Sequence, residues 1–403
     1  MAEYKAETHF GLFQDRILNA LISGHFIVDL LNSMRSLILA FLSIMLGMTN
    51  SGLGILTSVY VICGALAQPF FGYFSDRIGA RWVATGGILG MGCFFTLAMF
   101  FPGWPAVGFL ILSSICSGAF HPAGASEATL AGSERMNGRE ATASSLFFLF
   151  GQTGVGIGPI LGGVIIGWLG MPGLGFLSIL TIPVAYFTYK ELRTINRHQK
   201  TTQISADQKA DTNPKFKIVF NRTMILLIAI AAFQSWVQTN VSSYMPRYYA
   251  DLNMSPAING VIISLFTIGS AIGCFIGGEL ADRTSSRAVI AFGLLSSFVP
   301  LALIPMVGVS PLIFVIMFLA GFLSGAPYSV IVVQAQKIIP GGMGLASGII
   351  LGFIFSAGAI GMIFTGMLAD KAGYAVSFYS TAVIALAGGV LALLLPMSEN
   401  FAD

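Results

Sequence analysis

Between residues 17 and 396 the chain is an almost continuous series of apolar runs. Most reach the roughly 20 residues that a helix needs to cross the hydrocarbon layer of a bilayer. Lipid offers no partner to backbone N–H and C=O groups, so runs of this length fold as helices; strand barrels, with crossing segments of about 9–11 residues, are excluded. With 55% hydrophobic and only 9% charged residues, too little polar surface exists to cover a soluble body. Spans are expected over residues 17–46, 52–74, 82–101, 105–131, 141–169, 173–190, 222–249, 256–281, 287–307, 310–337, 343–368 and 373–396. The interval 191–221 is polar, carries Gln, Thr, Asp and Lys, and has no apolar periodicity. It reads as a cytoplasmic linker between an N-terminal six-helix half (1–190) and a C-terminal six-helix half (222–403). The expected fold is an all-α membrane protein of twelve transmembrane helices in two pseudo-symmetric halves.

The halves share a phrase. Gly72, Asp76, Arg77 and Arg81 return at identical spacing as Gly278, Asp282, Arg283 and Arg287, each set directly after a long apolar run. Internal repeats of this kind build a central site between two bundles in many secondary transporters. Of the 20 Lys and Arg residues, Arg247 and Lys371 fall on one side and Arg35 inside a span; all the others lie on the opposite side, which predicts cytoplasmic termini and an inner-membrane, multi-pass protein. The net charge of +3 follows from that asymmetry and gives no reason to expect a nucleic-acid partner. The polar first residues suggest no cleaved signal peptide. Cys63, Cys93, Cys116 and Cys274 stand singly in spans and read as buried small hydrophobes rather than disulfide or zinc ligands. The sequence contains no phosphate-binding loop, so no nucleotide or other cofactor is expected and uphill work must draw on an ion gradient.

The repeated phrase resembles the signature loop between spans 2 and 3 of the major facilitator superfamily and its weaker echo between spans 8 and 9. That resemblance covers nearly the whole chain. It implies a cytoplasmic gate in which Asp76 engages a neighbouring helix end and basic partners, with Gly72, Arg77 and Arg81 beside it. Asp282, with Arg283 and Arg287, does the same less completely. A second run, Gly154, Gly158, Pro159, Gly162 and Gly163 in span 5, is similar to the motif of proton-driven drug antiporters; as a physical matter, glycines at this spacing also serve generic close packing. The span 1 segment from Gly24 to Leu39 and Phe120-His121-Pro122 in span 4 are similar to the fosmidomycin-resistance branch, which exports a phosphonate antibiotic and related compounds. Ala123 stands where members of that branch carry an acidic residue, and Glu127 arrives a turn later.

Ionisable groups inside a bilayer cost roughly 2.5–3.5 kcal/mol on insertion scales, so those retained point to function. Here they are His25, Asp29 and Arg35 in span 1, His121 and Glu127 in span 4, and Arg247 near the end of span 7. Helical geometry puts His25, Asp29, Asn32 and Ser36 on one stripe, with Arg35 at its shoulder. Asp29 is the candidate proton carrier, tuned by His25 and Arg35, with His121 and Glu127 as further coupling candidates; a structural Asp29–Arg35 pair is the alternative. Glu127 can equally bond Arg135 or Arg139, and His121 can be a packing residue. Asn32, Arg35, Gln152, Gln234, Trp236, Gln238, Asn240, Arg247, Tyr328 and Gln334 are candidate solute contacts, the two arginines suiting an anionic group. Each of the neutral ones also suits interhelical bonding.

The expectation is a monomeric, non-enzymatic, proton-coupled secondary transporter. It works by alternating access on a small anionic or amphipathic solute, with protons and the lipid bilayer as its other partners. Efflux by antiport is the first reading and uptake by symport the second. A metal-ion carrier through His25 and Asp29 lacks a third ligand on sequence grounds, and a transporter fold kept as a receptor remains a rival of another class.

Overall fold

The computed structural model describes residues 14–47, 50–194, 221–252, 256–340 and 342–396. The first half comprises α1 (Arg16–Ser33), α2 (Arg35–Met45), α3 (Asn50–Ile78), α4 (Ala80–Phe100), α5 (Trp104–Arg135), α6 (Glu140–Leu177) and α7 (Thr181–Leu192). The second comprises α8 (Arg222–Asp251), α9 (Pro256–Arg283), α10 (Ser286–Val307), α11 (Leu312–Gly325), α12 (Pro327–Ile338) and α13 (Met343–Ala392). Most of the linker expected at 191–221 lies outside the described residues.

Twelve crossings emerge once the breaks are read. The first expected span is interrupted at Met34 and runs as α1 plus α2, and the tenth is divided between Gly325 and Pro327 into α11 and α12. Conversely, α6 and α13 each join two spans, turned by Gly170 (φ 67°) and Gly373 (φ 86°). A positive φ of this size costs an L-residue strain that glycine avoids, so each half makes its fifth-to-sixth crossing turn at a glycine. Among the described residues, ten helical stretches are long and apolar enough to cross a membrane, one of them the double crossing Glu140–Leu192. The outward surface is apolar, with Leu66, Ile160 and Trp168 strongly exposed, as a lipid-facing surface must be. Of the cysteines only Cys274 is fully buried, and Cys93 is exposed.

The halves meet chiefly along two pairs, α3 against α13 and α6 against α9, with smaller contacts of α5 with α13 and of α6 with α12. Small residues set the approach: a Cβ on Gly278 would reach the Ala141 carbonyl oxygen at 2.5 Å, and one on Gly344 would reach the Gly72 carbonyl oxygen at 2.6 Å. Within halves, Gly154 and Gly158 of α6 lie on the backbone of α1 around Phe26 and Leu30, and Gly358 and Gly361 of α13 lie on Ser235 and Trp236 of α8. Gly162 is buried, but Gly163 is exposed with nothing within 4 Å of where its Cβ would be, so it takes no part in packing. The side chain of Pro159 lies outside the described residues.

Buried apolar side chains explain where the bundle is closed. One cluster runs through the first half and continues into the second through Leu227, Ile230, Val330, Ile331 and Ile350, at the end carrying the repeated basic loops. A separate cluster around Val237, Val241, Tyr249 and Phe266 serves the other end of the second half. The halves therefore share a core at the basic end and keep separate cores at the opposite end.

Candidate functional site

A cavity of about 500 Å³ lies between the halves, walled by α1, the start of α2, α3, α5, α6, α8, α9, α12 and α13. Of the sequence candidates, His25, Asp29, Asn32, Arg35, His121, Gln152, Gln234, Gln238 and Tyr328 line it. Every charged or histidine side chain on the wall comes from the first half, whereas the second presents amides and hydroxyls such as Gln234, Gln238, Thr239 and Tyr328.

At its centre Asp29 is held between two imidazoles. Its Oδ2 lies 3.1 Å from His25 Nε2, one turn back on α1, and its Oδ1 lies 3.2 Å from His121 Nε2 on α5. The other nitrogen of each ring faces a backbone carbonyl: His25 Nδ1 is 2.7 Å from Phe147 O, and His121 Nδ1 is 2.8 Å from Ser117 O. A carbonyl can only accept, so both Nδ1 atoms carry hydrogen. Each Nε2 then faces a carboxylate oxygen, and unless a hydrogen lies between them two lone pairs would meet. Asn32 joins the cluster to its surroundings, donating to Ser117 Oγ at 2.6 Å and accepting from the Tyr60 hydroxyl at 2.8 Å. Arg35 makes no ion pair with Asp29; its guanidinium lies over the Tyr60 ring, 5.4 Å from the centroid. The structural Asp29–Arg35 pair is thus replaced by a histidine–carboxylate–histidine arrangement, and Arg35 is left on the cavity wall.

Among the described residues, His25, Asp29 and His121 also form the one cluster of metal-ligand spacing, with donor atoms within 4.8 Å of one another. Zinc binds nitrogen at about 2.0–2.1 Å, so the three would have to draw in around an ion, whereas their present separations are already those of hydrogen bonds.

Other candidates sit elsewhere. Trp236 Nε1 donates to Thr365 Oγ1 at 2.7 Å and Asn240 Nδ2 donates to the same oxygen at 2.6 Å, which uses both residues to fasten α8 to α13. Gln334 donates to Ser286 Oγ at 2.7 Å and ties α12 to α10. The cavity face of α8 is the neighbouring one, where Gln234 donates to the Ser324 carbonyl at 3.2 Å and Gln238 to the Ser324 hydroxyl at 3.1 Å. Glu127 is buried on α5 away from the cavity wall, and the arginines expected to meet it are engaged elsewhere, Arg135 with Asp15 at 2.5 Å and Arg139 with Glu279 at 3.5 Å. The side chains of Arg247 and Ser36 lie outside the described residues. Sequence reading missed Gln68 and Tyr60 on α3, both on the wall. An amide inside an apolar run, just before Pro69, was the available signal for Gln68.

The repeated loops form two reciprocal contacts at the basic end. Asp76 accepts from the Gly344 and Leu345 amides at 2.9 and 2.8 Å, at the start of α13. Asp282 accepts from the Ala141 and Thr142 amides at 3.0 and 2.6 Å and from the Thr142 hydroxyl at 2.7 Å, at the start of α6. Each half therefore caps a helix of the other, and the second contact, expected to be the less complete, makes more bonds. The arginines do not share this work. Arg77 lies over Tyr73 at 4.9 Å, Arg81 over Trp82 at 4.8 Å, and Arg283 pairs with Glu279 at 2.5 Å within its own helix. Lys337 instead bridges the halves, 2.7 Å from Glu140.

Two six-helix halves packed around a central polar cavity match a known architecture. The family model of the Major Facilitator Superfamily matches residues 21–257 and 227–401. The chain belongs to the Major Facilitator Superfamily. Its members are membrane transporters, not enzymes. The chain is 26% identical to the fosmidomycin resistance protein of Escherichia coli (strain K12) over 98% of this chain and 95% of that one. It is 24% identical to the multi-drug resistance efflux pump PmrA homolog of Lactococcus lactis subsp. lactis (strain IL1403) over 71% of this chain and 70% of that one. Among solved structures, the superfamily transporter FucP in the outward conformation superposes with a TM-score of 0.70 at 16% identity, over 94% of this chain and 99% of the other. At that identity the likeness concerns the superfamily fold alone.

Proposed function

We propose that this superfamily member is a proton-coupled efflux antiporter of a small anionic or amphipathic solute, working by alternating access. The observation that carries the reading is Asp29, set on the cavity wall with both carboxylate oxygens facing imidazole nitrogens whose opposite ring atoms are fixed by carbonyls. Such a cluster is satisfied by protons placed between its members and is strained without them, so it can take up and release protons as the cavity changes its hydration. Arg35, unpaired with Asp29 and beside the same cavity, supplies a cation for the solute's anionic group. Efflux is favoured by the relatives that carry resistance and efflux in their names.

In this reading the basic end faces the cytoplasm of the cell, with the termini and the linker (191–221), so the shared core and the two aspartate caps close the cytoplasmic side. Asp76 and Asp282 with Gly72 are the gate. The halves 1–190 and 222–403 rock about the cavity to open it on one side at a time. One monomer holds the whole site.

The test is solute and proton flux in proteoliposomes carrying an imposed pH gradient, comparing the natural protein with Asp29→Asn. Loss of gradient-driven flux with downhill exchange retained is the expected result. Unchanged coupling in Asp29→Asn removes the proton reading, and saturable flux that depends on added divalent cation rather than pH favours a metal carrier through the same three residues.

A further inference from the structure

The proton cluster and the cap at the basic end are joined by one short piece of α6. Its first turn is the segment gripped by Asp282 of the opposite half, through the Ala141 and Thr142 amides. On the same face Phe148 meets the Tyr328 ring, with centroids 4.8 Å apart. The adjoining face touches the cluster, and the Phe148 ring itself reaches the His25 ring with centroids 5.9 Å apart. The Phe147 carbonyl accepts from His25 Nδ1 at 2.7 Å, and the Phe147 ring stacks on the imidazole with centroids 3.9 Å apart and planes 26° apart. One turn further on, Gly151 lies directly against the His25–Asp29 contact, so close that a Cβ there would come within 2.5 Å of His25 Nε2 and 2.8 Å of Asp29 Oδ2. An α-helix rises about 1.5 Å per residue and transmits displacement as a stiff element over so short a stretch. The glycine motif noticed in the sequence begins at Gly154 and did not include Gly151.

We infer that Gly151 and Phe147 are positioning residues through which the segment Ala141–Gly151 of α6 relays the hydrogen-bond state of His25 and Asp29 to the Asp282 cap. This rests on the proton reading proposed above and adds the route by which it reaches the gate. When the His25–Asp29 contact is closed by a proton, the ring lies flat beneath Phe147 and α6 seats against α1, which holds its first turn in the position that Asp282 caps. When the contact opens, the imidazole must move, and Phe147 and Gly151 are the backbone it moves against. The charged and titratable groups facing the cluster are His25 and Asp29 from α1, Arg35 from α2, Tyr60 from α3, His121 from α5, Cys274 from α9 and Tyr328 from α12. Between Ala141 and Gly151, α6 itself contributes none, but its first turn faces Asp282, Glu279 and Lys337 beside its own Glu140 and the adjoining Arg139, so only the part of its pH response that Asp29→Asn removes belongs to the cluster.

The experiment is hydrogen–deuterium exchange of the full-length protein in lipid nanodiscs across a pH series, corrected for intrinsic exchange and read at the first turn of α6. The natural protein is expected to show a pH-dependent step in protection there, absent in Asp29→Asn. Gly151→Ala, whose methyl wedges apart His25 and Asp29, is expected to lose that step. Gly156→Ala, on the exposed face of the same helix with nothing within 4 Å of where its Cβ would be, is expected to keep it. Should Gly151→Ala not fold, Phe147→Leu, which removes the ring stack and leaves the carbonyl, is expected to move the midpoint of the step. A step unchanged in Gly151→Ala and Phe147→Leu, or lost equally in Gly156→Ala, overturns the relay. No step in the natural protein, with proton-coupled flux still abolished in Asp29→Asn, overturns the relay and leaves the proton reading standing; flux unaffected by Asp29→Asn overturns the reading itself.

Discussion

Replacing Asp282 with alanine removes three hydrogen bonds, at 3.0, 2.6 and 2.7 Å, that span the two halves. Bonds to a charged acceptor contribute about 1.5–3 kcal/mol net when buried, and a carboxylate at a helix N-terminus about 0.3–1 kcal/mol more. Water reaches this half-buried cap and would solvate the freed amides once the halves part, so the loss is discounted to about 1.5–3 kcal/mol in all. The bonds cross the interface, so the loss falls on the state closed at the basic end and leaves the open one untouched. At 1–3 kcal/mol of differential stabilisation per roughly 5–150-fold, the closed population should fall by one to two orders of magnitude relative to the open one. Asp76→Ala, which loses two bonds, at 2.9 and 2.8 Å, should shift the same equilibrium by somewhat less. Double electron–electron resonance between spin labels on the α5–α6 and α9–α10 turns reads the two populations directly. Distance distributions unchanged in both variants refute the reasoning. So does a lowered melting temperature with unchanged distributions, since the caps would then stabilise the fold and not one of its conformations.

Asn240→Ala should lower thermal stability by about 1–2 kcal/mol, since its amide fastens α8 to α13 through Thr365, while leaving the KM for a transported solute unchanged; a raised KM at native stability would put Asn240 back in the solute site. Arg35→Gln should weaken binding of an anionic solute by roughly 10–100-fold, as expected for loss of a charge-assisted hydrogen bond, and leave neutral analogues nearly unaffected in a thermal-shift titration.

The crossings were legible because length and hydrophobicity alone decide whether a helix can span lipid, and the breaks were less so. Gly170 lies close to the expected gap between spans, but nothing in the apolar pattern marks Met34, where the helical hydrogen-bond ladder is interrupted although the backbone angles stay helical. The stripe of His25, Asp29 and Asn32 could be read from 3.6-residue periodicity, since it concerns one helix. His121 could be named as unusual, but its contact with Asp29 joins α5 to α1 and depends on how those helices are rotated against each other. The same limit explains Trp236 and Asn240. Periodicity places them on one face of α8 without saying what lies opposite, and α13 proves to be there, while Gln234 and Gln238 on the adjoining face turn toward the cavity. Gly151 left no signal of its own, because a missing side chain matters only through the neighbour that fills the space.

On the cavity wall, histidines, acid and guanidinium all belong to the first half, and the second offers only uncharged groups. On the proton-coupled reading, energy transduction lies with the first half together with the Arg35 cation, and the second half shapes the rest of the solute site. Drift in Gln234, Gln238 and Thr239 can retune what is carried without disturbing the machinery that powers the cycle. A chimera keeping residues 1–190 should retain its driving force and its demand for an anionic group, while the second half it is given alters the rest of the cargo.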